Sequence, residues 1–247
     1  MRKRITILGI QIDDINMKKS VKKFKKFMNQ DKLRLICTPN PEIIMRARED
    51  LELKNILNHA DLVIPDGIGV VIASKILYDK GLTQRVAGYD LIQNTMKQSQ
   101  NGEYKYFFLG GKPNIAKLAA KKMRHKYPNI KVVGYNDGYF SPLENESIIE
   151  KINNSNANIL LVGFGAPKQE IWIKQNKYLL KNIKVAIGVG GSFDVMSGTT
   201  KRAPKIFIKF GLEWLYRLFM QPTRLKRMLV LPKFLLEVVK FNKNRHV

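Results

Sequence analysis

At 247 residues and 45% hydrophobic content, the chain is too long and too apolar for a disordered segment; it suits one large α/β domain, alone or with a small appendage. Its formal charge of +24 predicts attraction to polyanions (nucleic acid, anionic lipid or phosphorylated substrates), against the plainer reading of a lysine-rich compositional bias. The single cysteine, Cys37, excludes an internal disulfide and a cysteine-based zinc site.

The apolar run 5–10 is too short for a signal peptide, and no run reaches the length of a membrane-spanning helix, so a cytoplasmic protein is expected. Residues 4–11 read as a strand and 13–30 as a basic amphipathic helix with Val21, Phe24 and Phe27 on its apolar face. The next strand, 33–38, runs into Thr38-Pro39-Asn40-Pro41-Glu42, where a proline after a polar residue marks a helix start. That helix is expected to run from 41 to about 57.

Leu62-Val63-Ile64 is a short buried strand, ended by Pro65 because proline has no N–H for the ladder. Asp66 follows at once, then Gly67, Gly69 and an apolar helix over 69–78. A carboxylate at the carboxyl end of a parallel strand lies where open α/β sheets bind ligands, which makes Asp66 a candidate general base. The alternative is that Asp66 only caps the following helix. In 85–91, Gly88 gives backbone freedom and Asp90 is a candidate cap for a helix beginning near Leu91.

Strand 105–109 leads into Gly110-Gly111-Lys112 and a helix over 115–127, a plausible phosphate-binding corner that lacks the spacing of a Walker A or dinucleotide fingerprint. Strand 131–135 and a helix over 143–153 come next. Strand 159–162 ends in Gly163-Phe164-Gly165-Ala166-Pro167-Lys168-Gln169-Glu170. There Gly165 permits close backbone approach, while Lys168 and Gln169 add donors at a helix start. A last strand, 185–189, ends in Gly190-Gly191-Ser192-Phe193-Asp194. The repeated strand, turn and helix predict a Rossmann-like α/β fold, a mostly parallel sheet with helices on both faces.

The core is expected to span 1–200, followed by a C-terminal helical appendage over 201–247. In the appendage Trp214, Leu215, Leu218 and Phe219 recur at helical spacing, with Arg217, Arg224, Lys226 and Arg227 adding charge and only Glu213 and Glu237 opposing. Basic amphipathic helices with aromatic residues suit an anionic membrane surface; packing on the core with a solvated basic face is the alternative.

Taken together, these motifs resemble the WecG/TagA/CpsF family of bacterial glycosyltransferases, glycosyltransferase family 26. The resemblance rests on the Thr38, Asp66 and Gly163–Glu170 stretches, on Arg85-Val86-Ala87-Gly88-Tyr89-Asp90, Phe108-Leu109-Gly110-Gly111 and Gly190–Asp194, and on Arg202-Ala203-Pro204 followed by Gly211-Leu212-Glu213-Trp214. It implies an inverting, metal-independent transfer from a UDP-sugar donor to a polyprenyl-diphosphate-linked N-acetylglucosamine acceptor, with no cofactor. The donor is UDP-N-acetylmannosamine in the branch that primes wall teichoic acid, and the uronic acid or another UDP-hexose elsewhere. By position, Asp66 matches the base, and Thr38, Asn40, Arg85 and Gln169 match polar groups of the same pocket. Arg217, Arg224 and Arg227 match arginines thought to meet the lipid diphosphate and the membrane.

The residues suit that chemistry on their own terms. One strand-end carboxylate can take the acceptor proton, and the turns at Gly111 and Gly165, with Lys168 and the arginines, can stabilise a leaving UDP. The expected location is peripheral, on the inner face of the plasma membrane. A nucleic-acid-binding protein is disfavoured, since no RRM, KH or helix-turn-helix signature occurs. A nicotinamide oxidoreductase is disfavoured by the missing G-x-G-x-x-G. A homo-oligomer is compatible with the sequence, which sets no oligomeric state.

Overall fold

In a computed structural model of the chain, the residues described are 3–99, 102–220, 222 and 225–244, without the side chains of 217, 226 and 227. The chain opens with an antiparallel hairpin, β1 (Arg4–Ile7) and β2 (Ile10–Asp13). One strand over 4–11 was expected. Leu8 and Gly9 instead take positive φ, 47° and 84°, and turn the chain within two residues. Helix α1 (Met17–Met28) is capped by Asn16, whose side chain accepts the Lys19 N–H.

The parallel sheet begins with β3 (Arg34–Cys37). The helix expected over 41–57 is two, α2 (Pro41–Glu49) and α3 (Leu51–His59). Asp50 divides them, because it sits in extended geometry and its side chain caps Leu53. Then come β4 (Leu62–Val63), α4 (Ile68–Leu77), α5 (Gly88–Gln98), β5 (Lys105–Gly110), α6 (Ile115–Lys126) and β6 (Lys131–Asn136). A short 3-10 turn leads into α7 (Asn145–Asn154), followed by β7 (Ile159–Gly163), α8 (Lys168–Asn176), β8 (Val185–Gly188) and α9 (Ser192–Ser197). The appendage comprises α10 (Lys205–Lys209), α11 (Glu213–Met220), α12 (Leu225–Met228) and α13 (Val230–Asn244).

The six-stranded sheet has the order β4-β3-β8-β7-β5-β6, with every pairing parallel. The inner strands β5, β7 and β8 read as near-continuous apolar runs because both faces are covered. Successive side chains therefore enter different cores. Tyr106, Phe108, Ile159, Leu161, Val185 and Ile187 face α1, α5, α6 and α9. Phe107, Leu109, Leu160, Val162 and Ala186 face α7 and α8. Around Cys37 and Val63 a third cluster gathers the hairpin, α2, α3 and α4.

That third cluster also takes in the appendage. Phe234 and Val238 of α13 are fully buried in it. A Cβ at Gly69 would stand 2.7 Å from Leu231, so α13 packs against the first turn of α4. Burying the two α13 side chains contributes on the order of 1.5–3 kcal/mol each. The appendage is thus partly a core element.

Candidate functional site

All six strands direct their carboxyl ends to one edge of the sheet, the edge at which open α/β sheets bind ligands. Asp66 lies there, half-buried, between β4 and α4. The N-cap of the following helix α4 is Gly67, which has no side chain to offer. Asp66 Oδ2 accepts the N–H of Gly88, the first residue of α5, at 3.1 Å. The carboxylate thus sits at the positive end of a helix remote in sequence.

Backbone bonds tie the neighbouring loops together. Asp66 N–H donates to the Pro39 carbonyl at 3.2 Å, and Val86 N–H to the Pro65 carbonyl at 2.9 Å. Thr38 Oγ1 donates to the Gly188 carbonyl at 3.3 Å, and a Cβ on Gly88 would stand 2.8 Å from Thr38 Cγ2. Thr38 therefore joins the end of β8 to the start of α5. Asn40 caps α2 by accepting the Ile43 N–H at 3.0 Å, beside the Gly67 turn.

Gln169 is 2% exposed and faces inward. Its Oε1 accepts the Gly190 N–H at 2.9 Å and its Nε2 donates to Glu170 Oε1 at 2.8 Å. Thr38, Asp66 and Gln169 thus share one hydrogen-bonded strip across the ends of β4, β3 and β8. Lys168 is exposed at the start of α8, beside Gly165, whose φ is +77° with nothing near where a side chain would project. Gly111 lies farther along the edge and donates its N–H to Gly163 at 3.0 Å.

Arg85, next to Val86 in the chain, belongs to an ion-pair network. Its guanidinium meets Glu213 at 3.1 Å and Asp90 at 3.9 Å. Asp90 pairs with Arg202 at 2.7 Å, and Arg202 lies 4.5 Å from the Tyr89 ring centroid. Burial raises the Tyr89 hydroxyl pKa, while Arg202 opposes that rise. Asp90 was expected as a cap, but α5 begins two residues earlier, at Gly88, which leaves Asp90 in the first turn to bridge the two arginines.

Glu213 belongs to α11, so the network fastens the appendage to the segment before α5. The turn before α11 supports this. Gly211 has a φ of +73°, and a Cβ there would stand 2.9 Å from Ile68, two residues past Asp66. The other acid of the appendage, Glu237, pairs with Arg48 at 2.8 Å, which holds its carboxyl pKa below the usual range. Both acids of a basic segment are therefore pins to the core; their scarcity was the signal, and the partner arginines lie too far off in sequence to be read. Of the expected lipid-facing residues, Arg217 lies in α11 and Arg227 in α12; their side chains, and Arg224 entirely, lie outside the described residues.

Sequence reasoning also missed Glu170. Its spacing of three from buried Ile173 is the signal that places it on the inner face of α8. It is 2% exposed, and its Oε2 has no hydrogen-bond partner among the described residues. Burial pushes its pKa from 4.5 to about 7, with the Gln169 hydrogen bond opposing. A carboxyl raised on folding contributes stability that is complete below its unfolded pKa and is lost as pH rises through its folded pKa. Glu170→Gln is therefore expected to gain on the wild type between pH 5 and 8, by on the order of 3 kcal/mol at most. Denaturation midpoints of the two proteins across that range check it; a difference independent of pH would refute it.

Among the described residues no group of three His, Cys, Asp or Glu side chains is arranged to hold a metal ion, and no helix is long and apolar enough to cross a membrane.

A family model described as the glycosyl transferase WecG/TagA/CpsF family matches residues 5–246. The N-acetylglucosaminyldiphosphoundecaprenol N-acetyl-beta-D-mannosaminyltransferase of Bacillus spizizenii (strain W23) is 38% identical over 214 residues, 87% of this chain and 82% of that protein. The enzyme of the same name from Bacillus subtilis (strain 168) is 38% identical over 221 residues, 90% of this chain and 85% of its own.

Proposed function

The chain belongs to the WecG/TagA/CpsF glycosyltransferase family, and on that premise we propose that it moves N-acetylmannosamine from its UDP derivative to undecaprenyl-diphosphate-linked N-acetylglucosamine. The supporting observation is a half-buried carboxylate, Asp66, bound to a helix start at the ligand-binding edge, with Arg85 next in the chain to Val86, whose N–H binds the Pro65 carbonyl. Asp66 takes the proton of the acceptor hydroxyl as that oxygen attacks the anomeric carbon. The bond from that carbon to the UDP oxygen breaks on the opposite face, so the configuration inverts. Negative charge accumulates on the leaving diphosphate, where Arg85 and the cations of the appendage stabilise it without a metal. Thr38 holds the β8 end and the α5 start in register around the reacting groups.

The test is UDP release with a panel of UDP-sugars and a soluble polyprenyl-diphosphate-GlcNAc analogue. UDP-N-acetylmannosamine is expected to be used in preference to its uronic acid and to UDP-glucose, with activity retained in EDTA. Preference for the uronic acid would reassign the donor. Loss in EDTA with recovery on adding magnesium or manganese would overturn the metal-free reading.

We also propose that the appendage meets an anionic membrane, which places the protein on the inner face of the plasma membrane. Phe210, Phe219, Leu225 and Leu229 are exposed within a strongly basic segment. Each cation near an anionic surface contributes on the order of 1 kcal/mol. Co-sedimentation with phosphatidylglycerol vesicles is expected, and a Phe210→Ser/Phe219→Ser variant is expected to sediment less. Equal sedimentation of both proteins would remove the basis for this surface.

A further inference from the structure

We propose that Glu170 is a positioning residue of the transfer reaction, acting through the Gln169 amide to fix the turn after β8. This rests on the transferase reading above. The Gln169 side chain has two ends with opposite demands: Oε1 takes the Gly190 N–H and Nε2 gives to Glu170 Oε1. If the amide flipped, its NH2 would face the Gly190 N–H and its oxygen would face a carboxyl oxygen. The Gly190 donor and the acceptor at 170 therefore set the sense of the amide together.

There is little room for another arrangement. A Cβ at Gly188 would stand 2.6 Å from Gln169 Nε2 and 2.9 Å from Glu170 Oε1, so both side chains lie directly against the β8 backbone. The turn beyond is held differently. Gly190 has a φ of +49° and nothing within 4 Å of where its side chain would project, so the Gln169 bond positions it where packing on that side does not. Thr38 Oγ1 binds the Gly188 carbonyl in the same short stretch. Thr38 also touches Gly88, whose N–H binds Asp66. A shift of the β8 end therefore reaches the base through two contacts. Glu170 is almost fully buried beneath this strip, so its effect runs through Gln169.

The experiment compares Glu170→Leu, which removes the acceptor and keeps the bulk, with Glu170→Gln, which keeps an acceptor. Amide hydrogen exchange at Gly190 is read first and is independent of any substrate. Protection is expected to persist in the Gln variant and fall at least tenfold in the Leu variant, with both melting cooperatively. Turnover, read as UDP release from UDP-N-acetylmannosamine, is expected to fall about 10- to 100-fold in the Leu variant, the scale of a small misplacement of reacting groups, and to stay within about threefold in the Gln variant. In a Gln169→Ala background, Glu170→Leu is expected to change turnover less than about twofold, because the link is already cut.

Unchanged Gly190 protection in the Leu variant overturns the proposal. So does equal loss of turnover in the Leu and Gln variants, which would give the carboxylate a role of its own. If no UDP-sugar is turned over at all, the transferase reading fails, while Gly190 exchange still decides whether the brace exists.

Discussion

Asp66→Asn is expected to lower kcat by roughly two to four orders of magnitude, the span for removing a general base, and to leave folding intact. The substitution is mild in structural terms. The asparagine Oδ1 can still accept the Gly88 N–H that Asp66 binds at 3.1 Å, and the backbone bond from residue 66 to Pro39 does not involve the side chain. What is lost is the negative charge and, with it, the capacity to take a proton. The melting temperature should therefore stay close to that of the wild type, and UDP should bind with similar affinity. Near wild-type turnover would show that Asp66 only anchors α5, and that the base must be sought elsewhere along the strip. Asp66→Ala should add a structural penalty, because it leaves the first N–H of α5 without its carboxylate.

The sheet was readable because its inner strands are near-continuous apolar runs ended by glycine, and because the turns after them lead into helices. What the pattern conceals is chain reversal inside an apolar run. Leu8 and Gly9 turn the first strand into a hairpin, and hydrophobicity alone does not show it. The helix break at Asp50 is likewise a cap hidden inside an amphipathic pattern. At the site, the family resemblance groups Thr38, Asn40, Asp66, Arg85 and Gln169, but it carries no record of the directions in which they point. Gln169 reads as a donor for a ligand, whereas its amide is turned inward and used by Gly190 and Glu170. Asp66 reads as either a base or a cap of the next helix, and spacing does not show that its Oδ2 also meets the first N–H of α5. Such pairings depend on which loops the topology brings side by side, and spacing along the chain carries no record of that.

The Arg85–Glu213 pair is expected to separate docking of the appendage from chemistry. Both side chains are largely withdrawn from water, at 15% and 13% exposure, and they meet at 3.1 Å. Glu213→Lys would set two cations against each other. Faster amide exchange is then expected over 205–220, because the ion pair and the Gly211–Ile68 contact hold that segment to the core. Phe234 and Val238 bury α13 independently of this pair, so the rest of the molecule should remain folded. Arg85→Ala should cost roughly two to three orders of magnitude in transfer, the scale for removing one donor that stabilises developing negative charge. The exchanged pair, Arg85→Glu with Glu213→Arg, restores the attraction. Asp90 is already paired with Arg202 at 2.7 Å, so the new carboxylate at 85 meets a neutralised neighbour. Protection over 205–220 is expected to return in this double variant, while transfer stays low, because a carboxylate now faces the leaving diphosphate. Recovery of transfer along with protection would mean instead that Arg85 serves only to seat the appendage, and that the charge on the diphosphate is met by cations of the appendage alone.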